Sequence, residues 1–140
     1  MIEKEDNPMA VFGLGAFYDG TTDMTDEFLS NGVACIGWAR NDAPPLHRVI
    51  RHVKMGDIVY IKAHPPTQGL TIKGVGIVTD DEVFSDPDLG QACLRVRWIW
   101  RGNELVGHIG DRYPVRNITL YEEFSPEIIR RVVDLLVSGL

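Results

Sequence analysis

The sequence predicts an α+β fold, mainly β: a small, mostly antiparallel β-barrel with about three flanking short helices. Three observations carry this. Apolar residues alternate with polar ones through several short runs, the period of strands. These runs succeed one another through Gly-, Asp- and Pro-bearing turns, which favours antiparallel neighbours. Only three segments show apolar spacing of three and four. A curled sheet removes its exposed edges by closing, and short helices would plug its ends or lie outside.

The elements follow in order. Residues 1–8 read as a frayed tail, and residues 9–140 as one domain, a length that buries a sizeable core. Met9 to Tyr18 reads as a strand that ends at the turn Asp19-Gly20. Asp23 to Ser30 reads as a helix with Met24 and Phe28 one turn apart, stopped by Asn31-Gly32. Val33 to Trp38 is a buried strand. Arg40 to Pro45 is a loop whose prolines suit a first helical turn. Leu46, Val49, Ile50 and Val53 then mark one face of a helix.

The turn Lys54-Met55-Gly56-Asp57 delivers a strand over 58–63. A second follows over 70–79, with Gly74 and Gly76 where another group can approach the backbone closely. Next comes the clearest alternation in the chain. Leu94, Val96, Trp98 and Trp100 are set on one face, and Arg95, Arg97 and Arg101 on the other. Arg101-Gly102-Asn103-Glu104 reads as a turn into a strand over 105–109, and 114–121 as a last strand. Ser125-Pro126-Glu127 opens a helix with a hydroxyl cap, a first-turn proline and an acid at the positive end.

Composition excludes several classes. No apolar run is long enough to span a bilayer, and the acidic start is unlike a signal peptide, so the expectation is a cytoplasmic protein. Cys35 and Cys93 sit in apolar runs and read as separate core thiols, with a disulfide disfavoured in a reducing compartment. No Cys or His spacing supports a metal site, and no cofactor is expected. Gly13-x-Gly15 follows a strand but opens no helix, so a dinucleotide site is not expected.

The net charge of −6 argues against indiscriminate affinity for phosphate backbones. The charge is uneven, however. Residues 40–73 hold six Lys and Arg against two acids, while residues 80–88 hold five acids and no base. A local basic face on an acidic body and a scatter of solvated charges are both open readings.

The run Gly13 to Gly20, then Asp23 to Phe28, then Gly32-Val33 through Ile36-Gly37-Trp38 sets an order of motifs. Gly56 to Lys62 and Ile72 to Val78 continue it. Together they resemble the EVE-like members of the PUA-like superfamily, and are similar to the N-terminal modules of McrB-type restriction motor proteins. The resemblance covers residues 9–79 well, and the rest by strand pattern. It implies a reader of DNA or RNA, with a modified or flipped base seated in an aromatic pocket. It does not imply catalysis. Those modules carry a motor, whereas this chain ends soon after the domain, so the expected output passes through a protein partner, as in a defence-type complex.

The candidate ligand-binding residues are Phe17, Tyr18, Trp38, Arg40, Asn41, Asp42, Lys62 and His64. The resemblance places Phe17 and Tyr18 at the pocket border. Otherwise Phe17 is core and Tyr18 a surface ring. Trp38 is either a loop-edge indole that stacks a base or a core indole that caps the barrel. Asn41 and Asp42 can read a base edge, or Asp42 can cap the helix that follows. Lys62 and His64 can hold a phosphate, or stand as solvated loop charges. Arg95, Arg97 and Arg101 form a candidate backbone-binding strip, unless the acids of 80–88 or Glu104 pair with them. Trp98 and Trp100 are assigned to the core. A small nucleotide- or RNA-processing enzyme is a competing reading, but the chain offers no convincing nucleophile–base pair. A protein-interaction subunit is another.

Overall fold

The structure, a computed structural model, describes residues 8–18, 20–63, 69–108 and 118–140. Among the described residues the chain is mainly β with three helices, and the principal sheet curls into a half-barrel. Within that sheet β1 (Val11–Gly15) lies beside β5 (Ile58–Ala63). These two run parallel, with Val11 opposite Ile58 and Gly15 opposite Lys62. A parallel pair needs a long crossover, and the helices between the two strands supply it. All other pairings among the described residues are antiparallel. The order is β4 (Val33–Ile36), β8 (Gly90–Gly107), β6 (Leu70–Val78), β5, β1, β9 (Leu120–Glu122), with β7 (Phe84–Asp86) also on β8. Among the described residues, β4 and β9 remain the open ends. A separate hairpin joins β2 (Phe17–Tyr18) to β3 (Thr22–Asp23).

Both faces of the sheet are buried, which explains the nearly unbroken apolar runs of β1 and β5. Phe12, Leu14, Val59 and Ile61 face one core, shared with Phe28 of α1 (Thr25–Asn31) and Ile50 of α2 (Pro44–His52). Val11, Ile58 and Tyr60 face the other, shared with Ile128, Val132 and Leu136 of α3 (Pro126–Gly139). Burying those three α3 side chains contributes roughly 5–9 kcal/mol before entropy is charged against it. Helix α3 starts as expected: Ser125 Oγ accepts from Ile128 N at 3.4 Å, and Pro126 follows.

Several expectations are corrected. Helix α1 begins at Thr25, because Asp23 belongs to β3 and its carboxylate accepts from both Thr25 N and Thr25 Oγ1. The expected turn at 101–104 is strand, since β8 runs unbroken to Gly107. There β6 offers a continuous partner, and register shifts absorb the surplus residues. Gly102 serves a ring: a Cβ there would lie 2.7 Å from the Trp100 indole.

Trp98 and Trp100 do not share a face. Gly76 pairs with Trp98 but Val75 pairs with Trp100, so Ile99 is an extra residue and the alternation changes phase. Trp98 packs on the α1 side, with Nε1 donating to the carbonyls of Phe28 and Val33, while Trp100 packs on the α3 side. Gly76 makes room, since a Cβ there would meet Val96 and Trp98 within 3 Å.

The cysteines are also corrected. Cys35 and Cys93 face each other across β4 and β8 and are joined as a disulfide, fully buried. Register creates this neighbour relation, which a separation of 58 residues hides.

Candidate functional site

Strand β1 ends beside the β2–β3 hairpin, and this puts Phe17 and Tyr18 at one rim of the half-barrel. Strand β4 ends at Ile36, and Gly37 leads the chain outward to Trp38. The three rings meet there. Phe17, Tyr18, Gly20, Gly37, Trp38 and Thr119 line a cleft of about 310 Å³, near the small end of the range for ligand pockets.

Each wall is held differently. Tyr18 is the fixed one. Its hydroxyl donates to Leu89 O at 2.7 Å, and its ring meets Phe28 edge-on at 6.1 Å. Burial pushes that hydroxyl well above its ordinary pKa, so Tyr18 stays neutral. The ring lies so near Gly37 that a Cβ there would sit 3.1 Å from it. Trp38 is 51% exposed, and its Nε1 donates to Thr119 Oγ1 at 3.2 Å. The Trp38 carbonyl accepts from Nε2 of His47, a buried residue of α2, at 2.6 Å. The indole is therefore anchored at its backbone and its ring nitrogen while its face meets solvent. Phe17 is 59% exposed. No lining side chain among the described residues is charged. The arrangement suits a flat, uncharged ring sandwiched by aromatics.

The other candidates lie apart from this cleft or around it. Arg40, Asn41 and Asp42 form an exposed turn between Trp38 and α2. The capping role expected for Asp42 is corrected: α2 starts after Ala43 and has no side-chain cap. Pro44 and Pro45 carry no amide hydrogen, so a cap would have little to accept. Lys62, the second-last residue of β5, stands opposite Gly15, whose N donates to Thr119 O at 2.7 Å. Its ammonium sits 5.5 Å over the Tyr121 ring. His64 lies outside the described residues.

The arginine strip is split. Arg95 stacks on Phe84 at 4.4 Å, and Arg97 is exposed. Beyond the Ile99 bulge, Arg101 turns to the α1 side and pairs with Asp26 at 2.8 Å. Nor do the acids of 80–88 neutralise these arginines. Asp80 and Asp86 accept from the backbone amides of Glu82, Asp88 and Leu89, and Asp81 from Met55 N. Glu104 pairs instead with Arg131 of α3 at 2.9 Å.

Two buried polar clusters had no signal in the sequence. Tyr60 donates to Glu123 Oε1 at 2.6 Å and lies 2.8 Å from the Tyr121 hydroxyl, tying β5, β9 and the start of α3 together. Asp57, 1% exposed, accepts from Ala10 N, Lys54 N and Lys54 Nζ. No helix among the described residues is long and apolar enough to cross a membrane. No family model matches the sequence, and no curated protein matches it significantly.

Proposed function

We propose that this protein is a non-enzymatic reader of nucleic acid that seats one flat base in the cleft between Trp38 and the Phe17–Tyr18 rim. The observation that carries the reading is the convergence of three aromatic side chains on one cleft that no charged side chain lines among the described residues, with the Trp38 indole half exposed yet anchored. Stacking on such rings tolerates any base, since every base has a π-face. Selection then falls to the groups that touch the base edge, here the Thr119 hydroxyl and the backbone at Gly20 and Gly37. A base must leave its duplex to enter, so single strands and flipped or modified bases are the favoured ligands.

Arg40, two residues from Trp38, steadies a phosphate beside the seated base, and Lys62, its ammonium over the Tyr121 ring, is the second candidate for that role. Arg95 lies opposite Val33, at the other end of β4 from Gly37, so Arg95 and Arg97 meet only a nucleic-acid strand that runs on past the cleft, while Arg101 is already committed to Asp26. Asn41 reaches the base edge only if the 40–42 turn folds over the cleft. The resemblance to EVE-like domains points the same way, and a protein partner supplies any downstream activity. Fluorescence anisotropy with labelled single-stranded DNA and RNA, each with unmodified and methylated bases, tests the reading. It predicts saturable binding that weakens as salt rises and depends on the seated base. Absence of binding to every oligonucleotide at low salt would refute it.

A further inference from the structure

A larger groove than the aromatic cleft, of about 600 Å³, lies elsewhere, between α2 and the β1–β9 edge. Its two sides follow from elementary periodicity. Pro45, Arg48, Val49 and His52 line it from the helix, at i, i+3, i+4 and i+7, one stripe of α2. Pro8, Ala10 and Phe12 line it from the strand side, every second residue on one face. Glu122 stands opposite Phe12 in the β1–β9 register and projects into the same groove.

The groove thus has an apolar floor of Ala10, Phe12 and Val49 and a polar mouth. At the mouth, Arg48 and His52 are exposed one turn apart. Neither has an ion pair or side-chain hydrogen bond to any described residue. Asp57, which also lines the groove, has both its oxygens occupied by Lys54 and Ala10 N. Glu122 leaves a carboxylate acceptor across the floor from this basic pair.

The geometry points to a second ligand site here, one that takes a free nucleotide of the aminopurine monophosphate type. The phosphate sits between Arg48 and His52, where a guanidinium fork matches its oxygens. The flat ring lies against Ala10, Val49 and the exposed edge of the nearly buried Phe12, and its exocyclic amine donates to Glu122. Volume agrees, since the groove falls within the range that holds small ligands. The site is independent of the aromatic cleft and of the reading built on it.

The test is an amide-resolved NMR titration with adenosine monophosphate, run beside inorganic phosphate and adenosine. The expected result is saturable shifts at residues 10–12, 46–52 and 122, with the nucleotide binding more tightly than either fragment. Arg48→Gln should weaken it about tenfold or more, the scale of a lost hydrogen bond to a charged group. Glu122→Gln should narrow the preference for adenosine over inosine monophosphate. Both residues are exposed, and each variant's own spectrum reports its fold. Three results would overturn the site: no saturable shift in the groove, shifts confined to residues 17, 18 and 38, or unchanged affinity in Arg48→Gln. Phosphate alone binding as tightly as the nucleotide would refute the role of the apolar floor, and adenosine doing so would refute the role of the basic pair.

Discussion

Tyr60→Phe removes one oxygen from the middle of the buried cluster that joins β5, β9 and α3. The Tyr60 side chain is fully buried, and Glu123 is only 3% exposed. The hydroxyl donates to Glu123 at 2.6 Å and meets Tyr121 at 2.8 Å. A hydrogen bond to a charged group stabilises by about 1.5–3 kcal/mol, and a neutral one by about 0.5–1.5. Glu123 keeps Ser125 N on its other oxygen, so it is not stripped of partners. The expected loss is therefore about 2–4 kcal/mol, with Tm lower by roughly 6–15 °C for a chain of this size. Urea denaturation of both proteins at neutral pH, with slopes compared, measures it. A loss under about 1 kcal/mol would mean that the cluster is solvated in solution and does not lock β9 to the sheet.

Three further outcomes follow from the same contacts. The tyrosine hydroxyls at 60 and 18 are both held above their ordinary pKa by burial, so above about pH 10 the unfolded chain sheds protons that the folded chain keeps. Stability is then full below pH 10 and falls as pH rises beyond it; denaturation midpoints between about pH 8 and about pH 11 should show this, with a shallower fall in Tyr60→Phe. Asp57→Ala leaves the Ala10 and Lys54 amides without their acceptor and should destabilise by about 2–4 kcal/mol; an unchanged midpoint would refute the sealing role of that carboxylate. Gly37→Ala puts a methyl 3.1 Å from the pinned Tyr18 ring, so it should cost about 1–3 kcal/mol and weaken oligonucleotide binding severalfold; melting and anisotropy read both, and no change in either would show that the ring yields freely.

The parts of the fold written in local signals were legible. Ser125-Pro126 marks the start of α3 because cap and first-turn chemistry involve neighbours in sequence. The ring residues Phe17, Tyr18 and Trp38 stand at strand ends, and strand ends gather at a sheet's rim. What local reading misses is register. One surplus residue, Ile99, sends Trp100 and Arg101 to the faces opposite those that alternation assigns, and the arginine strip divides there. The same holds for Cys35 with Cys93 and for Tyr60 with Glu123, which pairing brings together from some sixty residues apart. Arg101 to Glu104 looks like a turn by composition, yet the partner strand carries it straight through. The α2 groove has no local signal: it forms only where the Pro45, Arg48, Val49 and His52 flank of that helix meets β1 and β9, which are distant in sequence.

The central claim is that the Trp38 indole stacks the bound base. Its most direct measurement is the affinity of Trp38→Ala for the best-bound oligonucleotide, with folding verified by thermal denaturation. Stacking predicts a loss of about 1–3 kcal/mol, roughly 5- to 150-fold, with the salt dependence unchanged because no phosphate contact is lost. A folded variant that binds as tightly as the parent would contradict it.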